Sequence, residues 1–405
     1  MWGSMRVEGS GGQGASKLAH AGPWRYDAGI HPAHTEEVAR MPIARRSLLA
    51  ALLSPVLASL ALGAPTNAQT GLNPYRSVDG LQAGSGPGRI GVGWAKLPGG
   101  REMGSPGGLH VDVDGEHIWA IVRCGNDGTP RGSQTYCGGS DLNPILRFDA
   151  EGNVVAQFGA GMFDWPHGLH VDREGNVWVT EAGGGERTAG RAIGNQVFKF
   201  SPRGELLMTL GEAGVEGSGP NHFTAPSDII TNANGDIFIV DGHNANGNNR
   251  IVKYSRDGRF IKSFGETGYG PGQMRGPHAI AMDPEGRLFV ADRANQRIVV
   301  FDQEGNYITR WTQFGMPSDI WIDDGGTIFV ADSESDMNEN AGWEKGIRIG
   351  DVRTGWVEWF ILDTGDNPPI TAGGSGAESI TVDRLGNIYA GEPRPQRIVK
   401  YVKVR

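Results

Sequence analysis

The sequence predicts an all-β chain folded as a six-bladed β-propeller with a central metal-binding cavity, and three observations carry the prediction. The chain holds 65 glycines in 405 residues, with 38% hydrophobic and 20% charged residues. That is turn-dense without the strict glycine period of collagen or the low complexity of disorder. A unit of about 40 to 60 residues recurs six times, with openings at 106, 166, 226, 277, 317 and 377. Within each unit, short runs rich in β-branched and aromatic residues are separated by Asp/Asn/Gly turns, which is the content of one propeller blade.

In chain order, residues 1–40 fit no export logic, and Met41 offers an alternative start, so this stretch is expected to be an over-extended gene model without fixed structure. Residues 41–68 read as a signal peptide. Arg45-Arg46 precede the apolar run from Leu48 to Ala64, and Thr66-Asn67-Ala68 forms a small-residue cleavage site before Gln69. The arginine pair is compatible with twin-arginine export but equally with the general secretory route. Pro55 and the shortness of the run argue against a membrane span. Residues 69–85 are expected to be a linker and 86–405 the propeller, giving a periplasmic or secreted protein that is monomeric and free of the membrane after cleavage. Cys124 and Cys137 are the only two cysteines, and in an exported chain they are expected to form a disulfide. The formal net charge of −9, with no basic patch, excludes nucleic acid as a partner.

The repeat is clearest in Pro166-His167-Gly168-Leu169 followed by Val177-Trp178-Val179-Thr180-Glu181. It returns as Pro226-Ser227-Asp228-Ile229, Pro277-His278-Ala279-Ile280 and Pro317-Ser318-Asp319-Ile320, with looser copies at Pro106-Gly107-Gly108-Leu109 and Ala377-Glu378-Ser379-Ile380. The last copy ends near Tyr401 without its outermost strand, and Arg89 to Trp94 is expected to supply it. Closing six blades into a ring removes open edges that no single blade could protect.

The residue after each opening proline is expected at one mouth of the central channel. Across the six blades it is Gly107, His167, Ser227, His278, Ser318 and Glu378. Alternate blades therefore carry His, His and Glu, which in a six-fold ring point at one spot from about 120° apart. Two imidazoles and a carboxylate with open positions suit a catalytic zinc, and iron or manganese also accept such a set. His170 and His222 read as structural.

The repeats are similar to the NHL class of six-bladed propeller. The stretches "WPHGLHVDREGNVWVTEA", "NHFTAPSDIITNANGDIFIVDGHNANGNNRIVKYSRDGRFIKSFG" and "GPHAIAMDPEGRLFVADRANQRIVVF" resemble the peptidyl-α-hydroxyglycine α-amidating lyases. The resemblance runs from about 105 to 401. It implies an exported lyase that cleaves a carbinolamide C–N bond to an amide and glyoxylate, acting on a peptide or small molecule. It also implies that His167 and His278 are zinc ligands, with Glu378 where the family has a third histidine. Ser379 stands in place of the family's neighbouring aspartate, which puts its structural calcium in doubt. Arg123 and Arg293 match the family's active-site arginines, and His243 falls where the family has its tyrosine base. From the residues alone, Arg293 could equally join two blades, Arg123 brace a loop and His243 face solvent. A calcium-dependent lactonase-type hydrolase and a non-catalytic scaffold propeller remain alternative readings.

Overall fold

The computed structural model describes residues 74–77, 93–125, 136–183, 191–243, 245–363, 376–393 and 396–404 of the chain. The assignments made above for 1–68 lie outside them. Among the described residues, strands form six four-stranded antiparallel sheets, the blades of a propeller. Blade 2 shows the plan, with strands Pro166–Val171, Val177–Glu181, Gln196–Phe200 and Leu206–Leu210. The other inner strands are Pro106–Val111, Pro226–Thr231, Pro277–Met282, Pro317–Ile322 and Ser379–Val382. Each inner strand packs on that of the next blade, and Ser379–Val382 packs on Pro106–Val111, so the ring closes.

Burial explains the sequence pattern of each blade. The second strands, such as Ile237–Asp241 and Leu288–Asp292, are buried at every position because neighbouring blades cover both faces, so they read as continuous apolar runs. The outer strand Phe260–Phe264 alternates between half-buried and exposed residues and carries the period-2 signal instead. The hydrophobic core is not one mass but six layers, one between each pair of adjacent blades. Blades 1 and 2, for example, meet through Trp119, Ile121 and Phe158 against Leu169, Val179 and Phe200. The disulfide Cys124–Cys137 forms as expected and lies in this layer.

The turn between first and second strands has a side-chain cause. Asp172 accepts hydrogen bonds at Oδ1 from the backbone N–H of Glu174 and Asn176, and Gly175 takes the left-handed φ of 82° that closes the turn. The same Asx turn recurs at Asp283 and Asp383, each with glycine three residues on. Hence the repeated Asp-x-x-Gly of the sequence.

The closing strand differs from expectation. Tyr75–Ser77, not the segment around Arg89 to Trp94, pairs antiparallel with Arg397–Lys403 and completes blade 6. The ring therefore begins before residue 86, and part of the expected linker belongs to it. Tyr75 packs edge-on against Phe329, 6.5 Å between ring centroids, which gives this short strand an apolar anchor on blade 5. Trp94 has another task. Its backbone N–H bonds to Ile398 O at 2.9 Å and its indole N–H to Ala150 O at 3.1 Å, so it bridges blades 6 and 1. Gly152 leaves room for this, because a Cβ there would lie 2.1 Å from the Trp94 carbonyl oxygen.

Two devices aim side chains at the axis. In blades 1 to 5 the pairing register of the inner strand shifts just after the opening proline, on the residue that carries Gly107, His167, Ser227, His278 or Ser318. A bulge re-aims the side chain it contains. The second device is a buried acid at the end of each second strand in blades 2 to 6. Asp241, Asp292 and Asp332 bond Arg250, Arg297 and Arg348 at 2.9, 2.6 and 2.9 Å, and Glu392 bonds Arg397. The three aspartates also hold the chain leading into the inner strand: Asp241, Asp292 and Asp332 accept the N–H groups of Thr224, Arg275 and Met316 at 2.6, 2.6 and 3.2 Å. In blade 2 the acid is Glu181, which holds Trp165 N–H at 2.9 Å, just ahead of Pro166-His167.

Candidate metal centre

The bulges of blades 2 and 4 turn His167 and His278 into an axial cavity of about 200 Å³. Both imidazoles are buried, 6% and 3% exposed. His167 Nδ1 lies 2.8 Å from Ser227 O and His278 Nδ1 lies 2.6 Å from Ser318 O. A carbonyl oxygen only accepts, so each Nδ1 carries the proton and each Nε2 presents a lone pair. Each histidine thus leans on the equivalent residue of the next blade. A carbonyl accepting from the far ring nitrogen is what orients an imidazole that binds a metal.

Glu378, just ahead of the inner strand of blade 6, brings Oε1 to 3.3 Å from His278 Nε2. With the tautomer set by Ser318, that contact puts two lone pairs face to face, and Nε2 is a buried atom without a hydrogen bond. A cation between them removes the conflict. The donor set therefore fits a bound metal on its own geometry. Protonation agrees: burial first, then neighbouring His243, His278 and Arg123, hold His167 well below the usual imidazole range. Burial, Arg293 and Arg123 do the same for His278. Burial works to raise Glu378, but Arg293, His167, Arg123 and His243 outweigh it and keep it below the ordinary carboxylate value. Neutral imidazoles beside an anionic carboxylate are the states that metal binding requires.

His243 joins the same cluster from the loop after the second strand of blade 3. One donor atom from each of His167, His243, His278 and Glu378 lies within 4.8 Å of the others. The half-buried His243 ring also abuts Trp165, 4.9 Å between centroids. Arg123 is 3% exposed, donates from Nε to Pro166 O at 3.1 Å and lies over the Trp165 ring at 5.1 Å. Arg293 starts the short 3-10 turn Arg293–Asn295 and places Nη1 3.6 Å from Glu378 Oε1 and 3.8 Å from Glu334 Oε1. The blade's structural pairing belongs to Arg297 instead, which leaves Arg293 turned toward the site. All six residues singled out in the sequence thus gather around the His167–His278 pair, and four of them, Arg123, His167, His278 and Glu378, line the cavity itself.

The profile of the NHL repeat matches residues 274–301. Human NHL repeat-containing protein 3 is 34% identical over 203 residues, 48% of this chain and 56% of that protein. The probable peptidyl-α-hydroxyglycine α-amidating lyase of Caenorhabditis elegans is 26% identical over 312 residues, 74% of this chain and 83% of that protein. The peptidyl-α-hydroxyglycine α-amidating lyase 1 of Drosophila melanogaster is 38% identical over 181 residues, 42% of this chain and 31% of that protein. The chain is a six-bladed NHL-repeat propeller related to these lyases. It spans about half the length of the first curated relative it matches.

Sequence reasoning missed Trp165, which touches His167, His243 and Arg123 at once. No repeat marks it, since the residues before the other openings are Ser105, Ala225, Gly276, Met316 and Gly376; the lone aromatic at that position was the available signal. It also missed Asp228 and Asp319, which line the channel one residue beyond the bulge in blades 3 and 5. They staple neighbours together: Asp228 Oδ2 accepts Ile280 N–H at 2.9 Å and Asp319 Oδ2 accepts Ile380 N–H at 2.8 Å. Farther along the channel, His170 Nε2 accepts the N–H of Thr231 at 3.3 Å and its ring meets His110 edge-on, 4.9 Å between centroids. His222 sits at the surface, paired with Glu212. Both agree with a structural reading.

Proposed function

We propose that this propeller is a metal-dependent lyase that cleaves a carbinolamide C–N bond, releasing an amide and glyoxylate. The observation that carries the reading is the pair of buried, carbonyl-oriented imidazoles on alternate blades, facing an ionised Glu378. His167 and His278 would hold a divalent cation, zinc before iron or manganese, as the donor types favour. Glu378 and His243 divide the tasks of completing the set and accepting a proton. When bound, the cation supplies Lewis acidity that polarises an oxygen and makes a hydroxyl easier to deprotonate.

The chain's own groups account for the remaining chemistry. Arg123 and Arg293 offer guanidinium forks to the substrate carboxylate. The substrate's hydroxyl proton passes to the acceptor, the oxygen's electron pair forms the glyoxylate C=O, and the C–N bond breaks with its pair on nitrogen. Nitrogen then takes the proton and leaves as the amide. Trp165 and the burial of Arg123 keep bulk water from the carboxylate site. The disulfide supports an oxidising compartment, and so export.

The test is metal content by elemental mass spectrometry on untagged protein, followed by glyoxylate release from a peptidyl-α-hydroxyglycine. About one equivalent of zinc, iron or manganese with metal-dependent glyoxylate release is the expected result. Calcium alone, or no metal at all, would overturn the reading.

A further inference from the structure

Resting on the metal-site reading above, we infer that His243 is a metal ligand, so that three imidazoles from blades 2, 3 and 4 hold the cation and Glu378 is the proton acceptor on its open side.

The three rings form a nearly regular triangle. Their centroids lie 4.6 Å apart for His167 and His243, 4.7 Å for His167 and His278, and 4.9 Å for His243 and His278. With metal–nitrogen bonds of about 2.1 Å, each ring centroid lies about 3.2 Å from the ion. Ligand angles between about 90° and the tetrahedral value then separate centroids by about 4.5 to 5.2 Å. All three observed spacings fall inside that window. One donor atom from each of the three rings also lies within 4.8 Å of the other two, while Arg293 Nη2 lies 3.5 Å from His243 Nε2, a contact that a bound cation would displace.

Backbone contacts tie down the loop that carries His243. The N–H groups of His243 and Gly242 both bond to Ala225 O, at 3.1 and 3.4 Å, which ties the loop to the residue preceding the inner strand of blade 3. Farther round the loop, Asn249 Oδ1 accepts Gly276 N–H at 2.8 Å, two residues before His278. The loop that carries one imidazole is therefore bonded to the chain that carries another.

Glu378 differs in kind. Its side chain is 24% exposed against 3% for His278, half-buried as His243 also is, and its carboxylate Oε1, which approaches His278, lies 3.6 Å from Arg293 Nη1. A carboxylate shared with a guanidinium and open to the cavity suits proton exchange with a bound substrate better than a closed coordination position. In the reaction proposed above, Glu378 takes the hydroxyl proton, becomes the neutral acid and returns that proton to the departing nitrogen. A catalytic site keeps one position open, which three protein ligands provide and four would not.

X-ray absorption on the zinc-loaded full chain counts imidazoles directly, and a chelator competition measures affinity in His243→Ala and Glu378→Gln, with circular dichroism melts as the folding control. Three imidazoles in the wild type are expected. So is a loss of affinity of at least about a hundredfold in H243A, beyond the 10- to 100-fold typical of losing a group that only orients a ligand. E378Q should bind zinc within about fivefold of the wild type while losing glyoxylate release. Two imidazoles in the wild type, or zinc retained by H243A, would overturn the inference and leave the lyase reading standing. Affinity lost equally in both variants would mean a closed four-donor set and remove Glu378 as acceptor. Failure of the wild type to bind metal would instead refute the underlying lyase reading. The wild-type imidazole count stands even if a variant fails to fold.

Discussion

Removing the Asp292 carboxylate should damage stability and the metal site together. Asp292 is fully buried and Arg297 is 5% exposed, with Nε to Oδ2 at 2.6 Å. Deleting one partner of such a pair strands the other charge, at a cost of about 3–5 kcal/mol. Arg297 still donates to the carbonyls of Tyr269 and Gln273, at 2.8 and 2.7 Å, which pulls the cost toward the lower end. The N–H of Arg275 loses its acceptor too, at a cost of about 1–3 kcal/mol for an orphaned donor, while the amide of Asn295 keeps the Gly268 carbonyl at 2.9 Å. Asp292→Ala is therefore expected to lose about 4 kcal/mol in urea unfolding of the metal-free protein. Because Arg275 leads directly into Gly276-Pro277-His278, zinc affinity should fall by about 10- to 100-fold, as for a lost orienting partner. Adding Arg297→Met, which removes the stranded charge, should recover part of the stability. A single variant within about 1 kcal/mol of the wild type, or a double variant no better than the single, would refute the reasoning.

Three further outcomes are expected. Replacing Cys124 and Cys137 by serine opens a loop of 13-residue separation, which by chain entropy costs about 3 kcal/mol, read as a lower urea midpoint than that of the oxidised protein. Burial drives the pKa of His110 down to about 4, from about 6.5 unfolded, so the unfolded chain binds the extra proton between those values and stability present above pH 6.5 is lost as pH falls toward 4. His110→Gln should remove up to about 3 kcal/mol of the stability difference between pH 7.5 and 4.5, and an unchanged difference would refute the assignment. Deleting residues through Ser77 removes the fourth strand of blade 6 and bares Arg397–Lys403 as an edge, so light scattering should show self-association that a deletion ending before Tyr75 does not.

The neighbours of each buried acid show how the ring serves its centre. In blades 3 to 6 the acid has an arginine partner, but in blade 2 the residue facing Glu181 across the strands is Gln196. Without that arginine, burial pushes Glu181 up to about 7 even though the N–H groups of Asp164, Trp165 and Gly183 stabilise its anion. In the blade that carries His167, the acid thus bonds two N–H groups of the leading segment and one just after its own strand, rather than an arginine.

The sequence by itself determined the blade count, the order of strands and the position from which His167, His278 and Glu378 reach the axis. These are legible because a blade is local: each strand pairs with the next in the chain, and burial between neighbouring blades stamps the same apolar run on each copy, followed by an Asp-x-x-Gly turn that becomes Asn232-x-x-Gly235 in blade 3. The ring, once closed, carries one position of the repeat to one height of the channel. The disulfide was legible for a simpler reason, there being only two cysteines. Tertiary structure alone decided the rest, where the period is silent. Arg89 to Trp94 and Tyr75–Ser77 are both short stretches that could extend the last sheet; packing against Phe329 gives that role to the second, while Trp94 fits the seam opposite Gly152. Arg293 and Arg297 are equally placed in the sequence to serve Asp292, and the turn at Arg293–Asn295 assigns the pair to Arg297. His243 lies in an Asn/Gly-rich loop with no counterpart among the repeated openings. Only the bonds to Ala225 carry its ring to within 5 Å of two other imidazoles, because a loop side chain is directed by what its backbone is tied to and not by its place in a pattern.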